Sequence, residues 1–389
     1  MSMVQWTEDG IARSARWHSE SDAPAPVRVV VVDDRTTAKS AYRMARNGIG
    51  LLWRGDFHNA RQLLRAVDRL QSSRSGPTGD GAAELFHRHR AKRTERARVL
   101  GRMMVLLEPD HSLHLRRAPD VRAACDHAYG ATTESTCVSL TELLGVLGAY
   151  QWHQRGVEIE ALDARIHPAY GVFSPVRGEY IDLVAEAPFD GGAAPATVFD
   201  LGTGTGVLAA VLARRGARRV VGTDINRRAV DCAAANMRRL GFADRVQIIE
   251  ADLWPSGRAD LVVCNPPWLP AQPSSELELG VYDPDSVVLH RFLDGLAAHL
   301  TPAGEGWLVL SDLAEHLGLR TRGALPARIA AAGLRVVSRH DTQPRHARAT
   351  DAADPLHEAR RREVTSLWRL VPSSTVGRAG GAARSGAQW

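Results

Sequence analysis

Lysine is almost missing from this chain of 389 residues: Lys39 and Lys92 are the only lysines among 49 lysine and arginine side chains. Cysteine is also scarce, and none of the four cysteines lies in a C-x-x-C pair. The sequence therefore predicts neither a zinc knuckle nor a redox pair. The fifteen histidines show no ligand spacing, so no metal site is expected.

Long apolar runs are missing as well. No run approaches the roughly 18–20 residues that a membrane-spanning helix needs. The start, MSMVQWTEDG, has no apolar core of the signal-peptide type. The simplest interpretation is a cytoplasmic protein with reduced thiols and no membrane contact.

Excess positive charge lies in the first part of the chain. Residues 1–150 carry 22 basic and 17 acidic side chains, whereas residues 151–389 carry 27 of each. Residues 84–104 have a helical pattern and hold seven basic side chains against Glu84 and Glu95, namely Arg88, Arg90, Lys92, Arg93, Arg96, Arg98 and Arg102. This basic helix is either a phosphate-contacting face for RNA or DNA, or a solvated face in an arginine-rich protein.

Composition divides the chain into an arm, two domains and a tail. Residues 1–26 are polar and end in APAP, which predicts a poorly ordered arm. Residues 27–160 form a smaller, mainly helical α/β domain with an accessory or substrate-recognition role; its predicted elements are a strand at 27–34 and helices at 36–47, 57–70 and 84–104. Residues 373–389 are rich in Ser, Gly, Ala and Arg and are expected to be disordered.

Residues 161–372 alternate between strands and helices. The apolar runs predict strands at 197–201, 219–223, 246–250, 260–264, 306–310, 334–338 and 363–370. Helical patterns lie between them, at 207–215, 227–240, 285–300 and 322–332. This alternation predicts a Rossmann-like parallel sheet with helices on both faces. Only a loop is expected between the last two strands, so they should form an antiparallel hairpin at the sheet edge.

The first of these strands ends in DLGTGTG, from Asp200 to Gly206. Gly202, Gly204 and Gly206, with Thr203 between them, let the backbone turn sharply and approach a ligand closely. Their spacing differs from the G-x-G-x-x-G of dinucleotide sites, and the turn has no phosphate-binding lysine. Because Asp200 suits a cationic ligand, the pattern points to S-adenosylmethionine.

Two further strand ends carry an acid and an apolar neighbour. Asp224 ends the second strand, where a carboxylate can accept from both ribose hydroxyls. Asp252 follows the third strand and can accept from an adenine amino group. Ile225 and Leu253 would supply apolar walls for the cofactor.

The fourth strand ends in NPPW, from Asn265 to Trp268. Pro266 and Pro267 have a fixed φ and no N–H, so this backbone is stiff. The Asn265 side-chain oxygen and the Pro266 carbonyl can accept the two hydrogens of a planar amino group. Trp268 offers a flat face for stacking. We therefore predict an acceptor slot here, with Asn265 also bordering the cofactor; the alternative is a simple strand followed by a tight turn.

DLGTGTG, TDIN, ADLW and NPPW together resemble the motifs of class I S-adenosylmethionine-dependent methyltransferases, in order and spacing. Within that class, NPPW resembles the motif of the amino-nitrogen methyltransferases. These include the HemK/PrmC family, which methylates a glutamine amide of release factors or ribosomal proteins. The segment GVFSPVRGEYIDL is similar to the stretch before the core of HemK-like enzymes, although it lacks their P-R-x-E-T-E sequence. By this resemblance Phe173 would close the acceptor site.

The resemblance implies an enzyme that methylates an amide or exocyclic amino nitrogen. A glutamine of a translation-related protein is the first expectation for the acceptor, and a base in rRNA or DNA is the second. A non-catalytic nucleic-acid-binding protein that keeps the cofactor fold is a third possibility, but such a protein would have no need of Asn265.

Overall fold

The computed structural model describes residues 2–72, 81–273, 275–345, 351–352 and 354–373. Two large β-sheets follow one another along the chain, the first with six strands and the second with seven. Within the part of the chain that the structure describes, no helix is both long and apolar enough to span a lipid bilayer.

The N-terminal sheet has the strand order β1-β2-β6-β5-β4-β3. Its strands are β1 (Met3–Glu8), β2 (Ile11–Trp17), β3 (Val29–Val32), β4 (Gly50–Trp53), β5 (Met103–Leu107) and β6 (Thr136–Ser139). The helices of this region are α1 (Ala38–Arg46), α2 (Phe57–Ser72), α3 (Ala82–Leu100), α4 (Arg122–Tyr129) and α5 (Leu140–Arg155). The region is α/β, as predicted, but five of its six strands were not predicted.

The prediction of a poorly ordered arm at residues 1–26 is wrong, because most of this segment forms a β-hairpin. β1 and β2 pair antiparallel from Met3 to Arg16, and Val4 and Trp6 of β1 are buried. Asp9 and Gly10 at the turn both have positive φ, as a two-residue hairpin with a type I′ turn requires. The alternating apolar residues and the Asp-Gly pair were the signals of this hairpin.

The basic helix also ends earlier than predicted. α3 stops at Leu100, whereas the pattern suggested a helix to Met104. Met103 and Met104 instead begin β5 and are buried in the sheet. An apolar run after a helix is compatible with either structure.

A short connection leads to the second sheet. It contains the two-stranded hairpin β7 (Val157–Ile159) and β8 (Ala164–Ile166), with a 3₁₀ helix at Glu160–Leu162 between them. Helix α6 (Glu179–Glu186) and a 3₁₀ turn at Asp190–Gly192 follow. α6 covers one face of the second sheet, where Ile181 and Val184 join its core.

The second sheet has the order β11-β10-β9-β12-β13-β15-β14. Its strands are β9 (Thr197–Leu201), β10 (Arg219–Asp224), β11 (Val246–Glu250), β12 (Ala259–Cys264), β13 (Leu300–Ser311), β14 (Leu334–Thr342) and β15 (Thr365–Pro372). The helices are α7 (Val207–Arg214), α8 (Arg227–Arg239), α9 (Val287–His299), α10 (Leu313–His316), α11 (Ala324–Ala331) and α12 (His357–Arg362), with 3₁₀ turns at Glu276–Gly280 and Pro284–Ser286.

This architecture confirms the predicted fold class, a seven-stranded Rossmann-like sheet with helices on both faces. Adjacent residues of β9 show the two faces: Val198 packs with α7 on one side, and Phe199 packs with α9 on the other. β14 and β15 are antiparallel, as predicted. However, the connection between them contains α12 rather than a loop alone.

The expected disordered tail, apart from Ser373, lies outside the described residues. The boundary at residue 161 stays a prediction.

Candidate active site

The carboxyl ends of neighbouring strands lie side by side at one edge of the second sheet. Leu201 of β9 pairs with Thr223 of β10 and with Cys264 of β12. Asp224 of β10 pairs with Glu250, the last residue of β11. Ligands of open α/β sheets bind at this kind of edge. The structure therefore brings the four predicted strand-end motifs together.

The glycine turn after β9 requires glycine at each predicted position. Gly202, Gly204 and Gly206 all have positive φ, at 69°, 56° and 82°, which side chains with a Cβ rarely adopt. A Cβ at Gly206 would approach the Met237 side chain to 2.9 Å. At Gly202 and Gly204, no heavy atom of the described chain beyond the sequence neighbours lies within 4 Å of an added Cβ. The turn thus leaves open space in front of two glycines.

Asp200 is a buried carboxylate that holds this turn. Its Oδ2 accepts hydrogen bonds from the Thr203 hydroxyl at 2.6 Å and from the Ala209 backbone N–H at 3.0 Å. Burial, with a smaller contribution from the charge of Asp224, raises its pKa to about 6 despite these donors. A cationic group in front of the turn would lower that pKa again, which fits the predicted cationic ligand.

Asp224 also binds the glycine turn. Its Oδ2 accepts from the Gly204 N–H at 3.0 Å and its Oδ1 from the Asn226 N–H at 2.9 Å. Burial raises its pKa. Each carboxylate oxygen keeps a second lone pair for a ligand hydroxyl. The neighbouring Ile225 is 66% exposed, so its apolar side chain is accessible beside Asp224.

The third strand end differs from the expectation in one respect. The Asp252 Oδ1 accepts from the Arg291 guanidinium at 2.9 Å, so this carboxylate is part of a surface ion pair. Leu253 is buried and adopts a positive φ of 74°, which is strained for a leucine. Its carbonyl accepts from the Thr223 hydroxyl at 2.7 Å. The adenine contact of Asp252 stays a prediction.

The NPPW segment follows β12, as predicted, but its side chains bind each other. The indole Nε1–H of Trp268 donates to Asn265 Oδ1 at 2.9 Å. Asn265, Pro267 and Trp268 are half-buried, and Pro266 is buried. The Trp268 carbonyl accepts from Arg320 at 3.4 Å. The amide oxygen therefore has one internal donor and keeps one lone pair for an acceptor nitrogen.

One face of Trp268 is covered by Arg177, a residue that the sequence reasoning missed. The guanidinium carbon lies 5.0 Å from the centroid of the Trp268 ring. Arg177 is itself bound to two buried carboxylates, Glu179 at 3.1 Å and Glu363 at 2.9 Å. Arg177 and Glu179 belong to the FSPVRGEY stretch that the resemblance used, but nothing in the sequence pointed to Glu363. Trp268 also packs against both hydrophobic clusters of the second sheet, so its indole is held from several sides.

Phe173 lies beside the loop that follows NPPW. The Cβ of Phe173 lies 3.3 Å from the position that a Cβ would take if Gly280 were substituted. Phe173 is 38% exposed. Leu277 and Leu279 of the same loop are also exposed. An exposed aromatic side chain beside this loop is compatible with the predicted closing role, which stays a prediction.

The basic helix α3 contacts this loop. Arg90 lies over the Tyr282 ring at 3.8 Å, donates to the Gln272 carbonyl and pairs with Glu278 at 3.5 Å. Other arginines of α3 also pair within the chain, namely Arg88 with Glu84, Arg93 with Glu278, Arg96 with Asp68 and Arg98 with Glu95. These ion pairs give the helix an intramolecular role, and its contact with nucleic acid stays a prediction.

We expect Arg90→Ala to lower the free energy of unfolding by about 1–2 kcal/mol, because it removes a cation–π contact and a hydrogen bond to the loop. Lys92→Ala is the matched control, since Lys92 is an exposed cation of the same helix and should change stability by less than ~0.5 kcal/mol. Urea unfolding measures both. Equal effects of the two variants would show that Arg90 does not anchor the loop.

Part of the chain is also similar in sequence to a known protein family. Residues 169–321 match the family model described as methyltransferase small domain. This part of the chain has the class I methyltransferase fold. The resemblance inferred from DLGTGTG, TDIN, ADLW and NPPW is thus confirmed for the second sheet, and the cofactor that such methyltransferases imply is S-adenosylmethionine.

Curated relatives match parts of the chain. A ribosomal protein L11 methyltransferase of Pelotomaculum thermopropionicum is 52% identical over 18% of this chain and 23% of the relative. A release factor glutamine methyltransferase of Cereibacter sphaeroides is 34% identical over 37% of this chain and 54% of the relative. A tRNA1(Val) (adenine(37)-N6)-methyltransferase of Porphyromonas gingivalis is 40% identical over 20% of this chain and 34% of the relative. The chain therefore spans about half or less of the length of these three relatives.

The residues at the strand ends fit S-adenosylmethionine. The open space at Gly202 and Gly204 admits a ligand close to the backbone. The carboxylates of Asp200, which is buried, and Asp224, which is half-buried, are suitable partners for a positive charge and for hydroxyl groups, and Ile225 supplies an exposed apolar surface. The roles of these individual residues stay predictions.

Proposed function

We propose that the protein is an S-adenosylmethionine-dependent N-methyltransferase whose acceptor is a planar amide or exocyclic amino nitrogen. The placement of Asn265 and Pro266 at the end of β12, beside the glycine turn of β9, is the observation on which this proposal rests. S-adenosylmethionine would supply a methyl group activated on a sulfonium. The chain's residues would supply orientation.

The nitrogen of an amide or aryl amine is a poor nucleophile because its lone pair is delocalised. In this proposal Asn265 Oδ1 accepts one hydrogen of the acceptor nitrogen and the Pro266 carbonyl accepts the other. Pro267 and Trp268 border the planar group. Such orientation is worth roughly 7–11 kcal/mol at most, and no strong base is required because the methylated nitrogen loses its proton readily.

Asp200 gives the proposal a pH-dependent test. A cationic cofactor end favours the ionised carboxylate, whereas the folded protein has a pKa of about 6 at this residue because of burial. Below that pKa the proton competes with the cofactor, so affinity should fall by up to about tenfold per pH unit, and above it affinity should level off. Calorimetry with S-adenosylhomocysteine between pH 5 and 8 measures this, and Asp200→Asn should remove the slope. If the affinity of the wild-type protein does not depend on pH, Asp200 does not contact the cofactor.

The acceptor that we propose first is a glutamine side chain of a release factor or ribosomal protein. The similarity to the release factor glutamine methyltransferase supports it, together with the HemK-like stretch around Phe173. A nucleobase is the alternative, supported by the similarity to the tRNA adenine methyltransferase. The internal ion pairs of α3 do not favour a nucleic acid over a protein.

The test is transfer of labelled methyl from S-adenosylmethionine to two substrates. One is a recombinant bacterial release factor, and the other is a lysate from a strain that lacks the gene. Digestion of the labelled product with protease or nuclease then identifies the acceptor class. Label that becomes soluble only after protease treatment supports glutamine, and label released by nuclease supports the alternative. Binding of the cofactor without transfer to any fraction would favour a non-catalytic protein.

A further inference from the structure

We propose that Trp268 and Arg177 are positioning residues that fix the orientation of the Asn265 side-chain amide. This inference rests on the proposed methyl transfer for its purpose, but the contacts that carry it can be tested without any acceptor. Trp268 would act through its indole N–H as well as through its flat face.

The hydrogen bond between Trp268 and Asn265 selects one of two amide orientations. An indole N–H can only donate, so the atom of Asn265 that lies 2.9 Å from it must be the oxygen. A flipped amide would set its NH2 group against the indole N–H and leave both donors unpaired. The amide oxygen, with its remaining lone pair, is therefore held in place before an acceptor nitrogen arrives.

The Trp268 indole is itself held in place by Arg177, which covers one of its faces. The Arg177 guanidinium covers its face at 5.0 Å from the ring centroid, a favourable arrangement of a cation over an aromatic ring. This arginine has limited freedom, because its side chain is only 17% exposed and the two carboxylates that bind it are 1% and 0% exposed.

The carboxylate of Glu363 is fixed by the second sheet. The Ser311 hydroxyl at the end of β13 donates to Glu363 Oε1 at 2.7 Å, and the same hydroxyl accepts from the Leu313 N–H at the start of α10. Contacts therefore run from the sheet through Glu363 and Arg177 to Trp268 and end at Asn265. A Phe or Tyr in the place of Trp268 has no donor at the indole position, so this control of the amide depends on tryptophan.

The first test observes the contact by NMR. In protein labelled with ¹⁵N-tryptophan and saturated with S-adenosylhomocysteine, Trp268→Phe identifies the indole N–H resonance of Trp268 among nine tryptophans. Asn265→Ala should shift this resonance upfield and speed its exchange with solvent, because its acceptor is lost. Arg177→Lys should also speed exchange, since lysine keeps the charge without the planar cover. Asn47→Ala, at an exposed asparagine of the N-terminal region, should change nothing. An unaltered resonance in Asn265→Ala would overturn the proposal.

The second test measures the consequence for turnover on the recombinant release factor. Replacement of Trp268 by β-(3-benzothienyl)alanine keeps the size and the stacking face but substitutes sulfur for the N–H. We expect kcat to fall about 3- to 10-fold, the range given by the net contribution of one hydrogen bond. KM and the affinity for S-adenosylhomocysteine should stay within about twofold, because neither stacking nor the glycine turn changes.

Trp152→Phe is the matched control, as Trp152 is 49% exposed on α5, away from the strand-end motifs. Wild-type kcat in the benzothienyl variant would overturn the positioning role even if the NMR contact is found. If the wild-type protein transfers no methyl to the release factor, that result counts against the proposed acceptor. The NMR result then decides whether the contacts from Arg177 to Asn265 exist.

Discussion

Asn265→Ala should lose most methyl transfer and keep nearly all affinity for the cofactor. Asn265 is proposed to orient the acceptor nitrogen, whereas the glycine turn, Asp200 and Asp224 hold the cofactor. An interaction that matters chiefly in the transition state lowers kcat more than it weakens binding. Loss of the positioning hydrogen bond and of the alignment that it imposes should cost on the order of 10²-fold or more in rate.

The structure adds a second reason for a large effect. The alanine variant also leaves the Trp268 N–H without its acceptor, so the aromatic wall of the slot loses a restraint. Asn265→Asp separates the two roles, because a carboxylate still accepts from the indole but adds a charge beside the slot. We expect it to retain the Trp268 contact and still to impair transfer.

Single-turnover methylation of the release factor and calorimetry with S-adenosylhomocysteine form the measurement pair. Asn47→Ala controls for loss of an asparagine elsewhere in the chain and should transfer methyl at the wild-type rate. Near wild-type transfer by Asn265→Ala would show that NPPW is only a turn, and the mechanism proposed here would then be wrong.

Asp224→Ala should weaken cofactor binding by about 10²-fold or more. Two charge-assisted hydrogen bonds to the ribose, each worth ~1.5–3 kcal/mol, are lost with the carboxylate, and about 1.4 kcal/mol corresponds to a factor of ten. The variant also removes the acceptor of the Gly204 and Asn226 N–H groups, which loosens the glycine turn.

A modified ligand separates the ribose contact from the support of the turn. The wild-type protein should bind S-adenosylhomocysteine more tightly than its 2′-deoxyribose analogue, and Asp224→Ala should bind both almost equally. Asp231→Ala is the control, because Asp231 is an exposed carboxylate in a helix surface pair with Arg227, and its loss should change affinity by less than about twofold. Unchanged discrimination in Asp224→Ala would remove this residue from the ribose site.

The sequence alone predicted all seven strands of the second sheet. Strands β9 and β11 have the bounds that were predicted, whereas β13 and β14 are longer than predicted, and the short helices α10 and α12 were not predicted. A buried parallel strand appears in the sequence as a short apolar run, and glycine or proline often lies near its end. The local pattern is therefore sufficient to predict such a strand. The same logic located Asp200, Asp224 and Asn265, because the chemistry of a doubly wound sheet lies directly after its strands.

Local pattern was not sufficient in the N-terminal region. Its six strands are 4 to 7 residues long, and short apolar runs are compatible with a strand or with part of a helix. β2 pairs in parallel with β6, more than a hundred residues further along the chain. The hairpin of β1 and β2 has local signals, but the pairing that joins it to the rest of the sheet lies in no window of local sequence.

Tertiary structure alone decided what supports the acceptor slot. Arg177 meets Glu363 across 186 positions of sequence, and Arg90 reaches the loop after NPPW across 182. A charged side chain in the sequence has many possible partners, and only the route of the backbone brings one of them within reach. The sequence therefore determined which residues lie at the strand ends, whereas the fold determined that Arg177 covers Trp268, because stacking geometry depends on how distant segments pack. The hydrogen bond from Trp268 to Asn265 spans only three positions, but it depends on the backbone conformation after β12, which the local pattern does not specify.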